Sequence, residues 1–189
     1  MEDTDGIGAS ERTCSGIIMN NPIYIERQRT FSKLRGTFGP LGSISANGCG
    51  AIAVYNILEH FGLHEDFMKV ISRFERLWPL AMPFGGFLGT NIFYLFYVLK
   101  KYGFYIRPIF FLGRKRKRIE WGGQSAILFF YGWRRKWSMG AHYQAGFAEP
   151  DGKIILHNPK AVYADMKEML IKKRERENMW FCMALCVRK

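Results

Sequence analysis

Asn47-Gly48-Cys49-Gly50-Ala51-Ile52-Ala53-Val54-Tyr55-Asn56-Ile57-Leu58 is the stretch on which the reading of the fold turns. It reads as a cysteine in the first turn of a buried helix. Glycines on both sides of Cys49 let the chain turn tightly and let another backbone come close. Beyond them almost every position is apolar as far as Phe61, and the exceptions Asn56, Glu59 and His60 fall three and four apart, on one stripe. A helix apolar nearly all round belongs in a core, and Gly62 suits the position just past its last turn. One thiol is therefore expected at the positive end of a central helix. The macrodipole favours an anion there, and cysteine pKa values fall at such places. An inert packed cysteine is the other reading, because free cysteine is among the most buried residue types.

A chain of 189 residues is enough for one domain with a real core and too short for two comfortable ones. Hydrophobic residues at 48 % and aromatics at 16 % exclude a disordered chain. The net charge of +12 favours acidic partners and says nothing about fold. Cys14, Cys49, Cys182 and Cys186 include no C-x-x-C pair and match no zinc spacing. Cys182 and Cys186 fall on one predicted strand, about 13 Å apart, too far for a disulfide. A reducing compartment follows, and with it a cytoplasmic location. Met1-Glu2-Asp3-Thr4-Asp5 is acidic and is no secretory signal. The most apolar region, 77–112, is broken by Pro79, Pro83, several glycines, Lys100, Lys101 and Arg107, so no membrane span is expected. No metal or cofactor is expected either, and oligomeric state has no signature here.

Taken in order, residues 1–20 read as a mobile N-terminal segment and 21–189 as a single domain. Residues 22–46 read as an irregular arm. Helices are expected from His64 to Leu77, and from a cap at Thr90 or Asn91 to Tyr102, where Gly103 stops the second. Pro83-Phe84-Gly85-Gly86-Phe87-Leu88-Gly89 is a loop between them, and its Phe and Gly residues suit the lining of a substrate cleft. Strands are expected at 104–112, 125–131, 141–148, 153–158 and 180–187, with a charged helix at 165–178. Helices first and strands after argue an α+β fold with a largely antiparallel sheet.

The connection Glu149-Pro150-Asp151-Gly152-Lys153 reads as a hairpin with a three-residue loop. It pairs Glu149 with Lys153 and, by counting back, Gln144 with Asn158. His142 then lies diagonally from Asn158 on the same face, within roughly 7–8 Å. His157 falls on the opposite face, with Ala141, Tyr143, Ala145 and Phe147. The alternative is a sheet histidine bonded to any nearby polar group.

A thiol at a helix N-terminus, then a downstream histidine on a strand, then an Asn or Asp on the next strand is the order of papain-like cysteine proteases. Gly48-Cys49-Gly50-Ala51-Ile52-Ala53 through His60-Phe61-Gly62 resembles the cysteine helix of the C39-like peptidases, which include the double-glycine leader peptidases. Ala141-His142-Tyr143-Gln144-Ala145-Gly146-Phe147 resembles that family's histidine strand, and Ile155-Leu156-His157-Asn158-Pro159 its following strand. The resemblance runs from about Ser43 to Val187. It implies a papain-like fold, with N-terminal helices packed on the sheet. It implies Cys49 as nucleophile, His142 as general base and acid, and Asn158 as the residue that orients the imidazole. The Cys49 N–H would supply one part of an oxyanion hole. The chain departs from the family at Gly48, where an acidic residue is usual, and at Ser43, where a glutamine usually supplies the second oxyanion donor. Asn47, Ser45 and Ser43 are the candidates to replace it. The activity implied is cleavage of a peptide or related amide through a thioester acyl-enzyme. A catalytically silent peptide-binding module, and an amide-directed acyl transferase or deamidase, are the alternatives.

Three basic runs, Arg114–Arg118, Arg134–Lys136 and Lys172–Arg176, remain. The middle one sits between Trp133 and Trp137, which suit base stacking, yet no nucleic-acid-binding motif accompanies them. Solvated loops or helix faces are the usual meaning of such runs. The expected partner is a peptide or protein substrate of acidic character.

Overall fold

The computed structural model describes residues 22–33, 38–40, 42–82, 89–110, 125–136 and 138–189. The proposed N-terminal segment, Cys14, the basic run Arg114–Arg118, the loop from Pro83 to Leu88, and Trp137 lie outside them. Helices α1 (Ile44–Asn47), α2 (Cys49–His60), α3 (Phe67–Arg76), α4 (Trp78–Ala81) and α5 (Ile92–Lys101) come first. Strands β1 (Tyr105–Phe110), β2 (Ser125–Arg135), β3 (Ser138–Ala148), β4 (Ile154–His157), β5 (Ala161–Tyr163) and β6 (Met179–Arg188) follow, with α6 (Met166–Glu177) before the last. The strands form one sheet in the order β1-β6-β2-β3-β4-β5, every neighbouring pair antiparallel. The α+β class and the helices-then-sheet order are as the sequence implies.

Two cores sandwich the sheet. Ala126, Leu128, Tyr143, Ala145 and Phe147 pack with α2, α3 and α5 on one face. Ile127, Phe129, Tyr131, Leu156 and Ala184 pack with Met169 of α6 on the other. Successive strand residues point to opposite faces, so a strand covered on both sides must be apolar throughout. That is why Ala126 to Tyr131 is an unbroken apolar run, and why β2 lies in the interior of the sheet.

The polar stripe of α2 has a structural use. Asn56 Oδ1 accepts the Ile25 N–H at 2.8 Å, and its Nδ2 donates to the Ile25 carbonyl at 3.1 Å. Glu59 accepts the Ile23 N–H at 3.3 Å, and Tyr24 OH meets His60 Nδ1 at 3.3 Å. The arm at 22–27 is a strip of chain laid along α2, its main-chain groups satisfied by side chains in place of a ladder. It leads into a 3-10 helix over Gln28–Lys33 and then α1, where the sequence reading had no regular structure.

Element ends follow their caps. α3 begins at Phe67, later than the sequence reading, because Asp66 accepts the Lys69 N–H at 3.1 Å and His64 is left-handed at φ 32. Asn91 caps α5 through Phe93 N at 3.0 Å. Asp165 caps α6 through Glu168 N at 2.7 Å, and Asn178 ends it at φ 49. The β3–β4 hairpin has the expected register, with Ala145 opposite His157 and Phe147 opposite Ile155. Glu149 N donates to Lys153 O at 2.8 Å, and Gly152 takes φ 87.

Two further placements differ from the sequence reading. Arg134 and Arg135 belong to β2, paired with Met139 and Ser138, so the β2–β3 hairpin extends past the core as a longer ribbon. The short edge strand β5 pairs with β4 and has no counterpart in the sequence reading, since three residues carry too little alternation to detect. Among the described residues no helix is long and apolar enough to cross a membrane.

Candidate active site

Cys49 opens α2, and its N-cap Gly48 supplies no side-chain cap. Gly50 follows because Thr90 presses on it: a Cβ there would sit 2.7 Å from both the Thr90 Cβ and Oγ1. The Thr90 carbonyl accepts the Tyr143 hydroxyl at 2.8 Å, which ties the lead-in to α5 to β3. Among the described residues Thr90 Oγ1 is buried without a partner, a condition that costs about 1–3 kcal/mol.

The Cys49 thiol is only 5 % exposed. Burial pushes its pKa up, against hydrogen bonding from the main chain at Tyr143, Gly50 and Cys49 itself, which pulls it down. The expectation of a lowered pKa at the helix end is therefore overturned. A helix dipole contributes roughly 0.3–1 kcal/mol, whereas desolvating a charge costs several. The Tyr143 main chain nevertheless places the sulfur beside β3, one residue from His142. Among the described residues no hydrogen bond joins Cys49 to His142.

His142 is cross-strand from Tyr131, on the α6 face of the sheet, while Cys49 sits in the helix-side core. β4 pairs with Ala145–Ala148 of β3, so His142 and Tyr143 stand past the end of β4, at an uncovered strand edge. His142 Nε2 donates to the Asn158 carbonyl at 2.6 Å. That bond places the proton on Nε2 and leaves the Nδ1 lone pair free. Burial lowers the His142 pKa, the Asn158 carbonyl raises it, Lys173 lowers it and Glu177 raises it.

Asn158 does meet His142, but not as expected. Its residue is left-handed at φ 66, which directs the carbonyl to His142 and the side chain elsewhere. Oδ1 accepts the Gln28 N–H at 2.8 Å, and Nδ2 donates to Gln28 Oε1 at 3.3 Å. The hydrogen bond expected from the amide is thus made by the main chain. Gln28 Nε2 donates in turn to Ile44 O at 2.9 Å, linking the Asn158 turn to α1. Nothing in the irregular arm marked Gln28 beforehand.

The oxyanion candidates are engaged around α1. Ser43 Oγ accepts the Ala46 N–H at 3.3 Å as a helix cap and meets Ser45 Oγ at 3.0 Å. The Asn47 amide lies over Gly42, 2.5 Å from where a Cβ would stand. Among the described residues none of the three bonds to Cys49. His157 lies with Tyr24 and Phe147 and bonds Glu26 at 3.0 Å, away from the site as the register implies.

Lys173 is the unexpected member. Read as part of a solvated run, it is instead 2 % exposed. Its Nζ donates to Gln144 Oε1 at 2.6 Å, Glu177 Oε1 at 2.6 Å and Tyr131 OH at 3.2 Å. Gln144 Nε2 donates to the Pro159 carbonyl at 3.1 Å. The i,i+4 spacing of Lys173 and Glu177 was the available signal, but such pairs are usually exposed.

No protein-family model and no curated protein matches the chain. A similar solved structure is the peptidase domain of Streptococcus ComA, a bifunctional ABC transporter involved in a quorum-sensing pathway. The two share 15 % identity over 74 % of this chain and 90 % of that one, with a TM-score of 0.42. The roles of individual residues rest on this chain's own contacts.

Three histidines make stability depend on pH. Burial lowers the pKa of His60, His142 and His157 alike. The folded protein therefore holds them neutral, while the unfolded chain takes up protons near pH 6.5. Stability is full above that value and falls as the pH drops below it. The urea midpoint should be lower at pH 5.5 than at pH 7.5, and equal midpoints would contradict this.

Proposed function

We propose that the protein is a cysteine hydrolase acting on a peptide or related amide, with Cys49 as nucleophile and His142 as base and acid. One observation carries the reading. The β3 main chain at Tyr143 reaches the Cys49 thiol, and the residue before it, His142, has its Nε2–H taken by the Asn158 carbonyl. The free nitrogen, Nδ1, is the one a base needs. His142 and the Tyr143 main chain that reaches the sulfur are consecutive on the stretch of β3 that β4 leaves unpaired.

Burial disfavours both the thiolate and the imidazolium, so the resting pair is neutral. The proton moves from sulfur to Nδ1 as sulfur attacks the carbonyl carbon. A C–S bond forms and the carbonyl π pair moves onto oxygen. The N–H groups that open α2 and the Thr90 hydroxyl, which lies against Gly50, are the donors at that end of the helix. Collapse returns the pair, breaks the C–N bond, and delivers the His142 proton to the leaving nitrogen. Water, deprotonated by His142, then cleaves the thioester to release an acid and restore the thiol. The excess of basic residues suits an acidic peptide.

The catalytically silent binding module remains the second reading, supported by the burial of Cys49 and the missing bond to His142. Iodoacetamide labelling with peptide mapping separates the two. Cys49, though buried, should label faster than Cys182 and Cys186, and His142→Ala should slow it. Labelling of Cys49 no faster than the other two would favour the silent module. Product masses then distinguish hydrolysis from acyl transfer.

A further inference from the structure

We infer that Lys173 is a positioning residue for His142, acting through the Gln144 amide and the Asn158–Pro159 turn. The inference rests on reading His142 as the base. An ammonium has three donors and no acceptor. All three are used here, on Tyr131 OH, Glu177 Oε1 and Gln144 Oε1.

The consequence falls on Gln144. A buried amide has two orientations related by a flip, and its surroundings select one. With Lys173 on one side, Oε1 must face the ammonium. Nε2 must then face the Pro159 carbonyl, to which it donates at 3.1 Å. The flipped amide would set Oε1 against that carbonyl, acceptor to acceptor, and its NH2 against the ammonium. Lys173 thus selects the orientation that holds Pro159.

The neighbouring carbonyl of Asn158 is the one that takes the His142 Nε2–H. Gln28 holds the same turn through the Asn158 side chain. The turn is clamped from both sides, and its fixed carbonyl sets the imidazole tautomer. Lys173 needs no contact with substrate or sulfur for this role. Its neighbour Lys172, which pairs with Glu168 at the surface, has no such path.

The test uses Lys173→Met, Gln144→Glu and, as a control, Lys172→Met, in the full chain. A carboxylate at 144 still accepts from Lys173 but cannot donate to Pro159, so it breaks the path one link further along. Nitrogen NMR of the imidazole reads the tautomer directly. The unaltered protein and Lys172→Met should show the Nε2–H form at His142. Lys173→Met and Gln144→Glu should both show a mixture, and iodoacetamide labelling of Cys49 should slow by roughly tenfold, short of the hundredfold that misplacing a catalytic group can cost. If Lys173→Met does not fold, Gln144→Glu decides. An unchanged tautomer in the folded variants overturns the inference. Loss of fold in both also overturns it, because the brace would then serve stability alone. Failure of Cys49 to label preferentially would sink the hydrolase reading but leave the tautomer result standing.

Discussion

Cys49→Ala should leave no peptide hydrolysis above background, and His142→Ala should lower kcat by roughly 100- to 10,000-fold. The two effects should not add. A nucleophile and its base act as a unit, so the double variant should be no slower than Cys49→Ala alone. Both single variants should remain folded. Cys49 is a small residue among Gly50, Ala51 and Ala53, and alanine is the better helix former. His142 is only part-buried. Turnover measured by product mass, alongside circular dichroism, checks all three. Residual hydrolysis in Cys49→Ala would remove the sulfur from the mechanism.

Asn158→Ala should cost about 3 kcal/mol of stability, more than its effect on the chemistry would suggest. Two contributions are involved. A left-handed backbone costs about 1–2 kcal/mol for alanine, and less for asparagine. The Gln28 N–H and Oε1 lose their buried partners, at about 1 kcal/mol or more each. The bond to His142 comes from the main chain and survives the substitution. Asn158→Gly relieves the backbone and should recover about 1 kcal/mol. Urea denaturation measures these differences. If the amide were the group that orients the imidazole, the pattern would invert, with a large loss of turnover and little change in midpoint.

The sequence was most legible where physics is local. Turn chemistry at Pro150-Asp151-Gly152 set the register that puts Gln144 opposite Asn158 and sends His157 to the other face. The caps at Asn91 and Asp165, and the unbroken apolar run of β2, were equally local. The site was legible only as a list of types. His142 and Asn158 do meet, but the atom used on Asn158 depends on a left-handed residue that no periodicity announces. Gln28 contacts Asn158 from 130 positions away. Lys173 looked like one cation in a charged run.

Composition and periodicity alone determined the class: helices first, an antiparallel sheet after, and a thiol at the head of a buried helix. Those follow from side-chain spacing and turn preference, which act over a few residues. The protonation of that thiol, the group that holds His142, and the burial of Lys173 were decided by tertiary structure only. Desolvation and hydrogen bonding there depend on which distant segments close over a site, and that closure is written in no short stretch of chain.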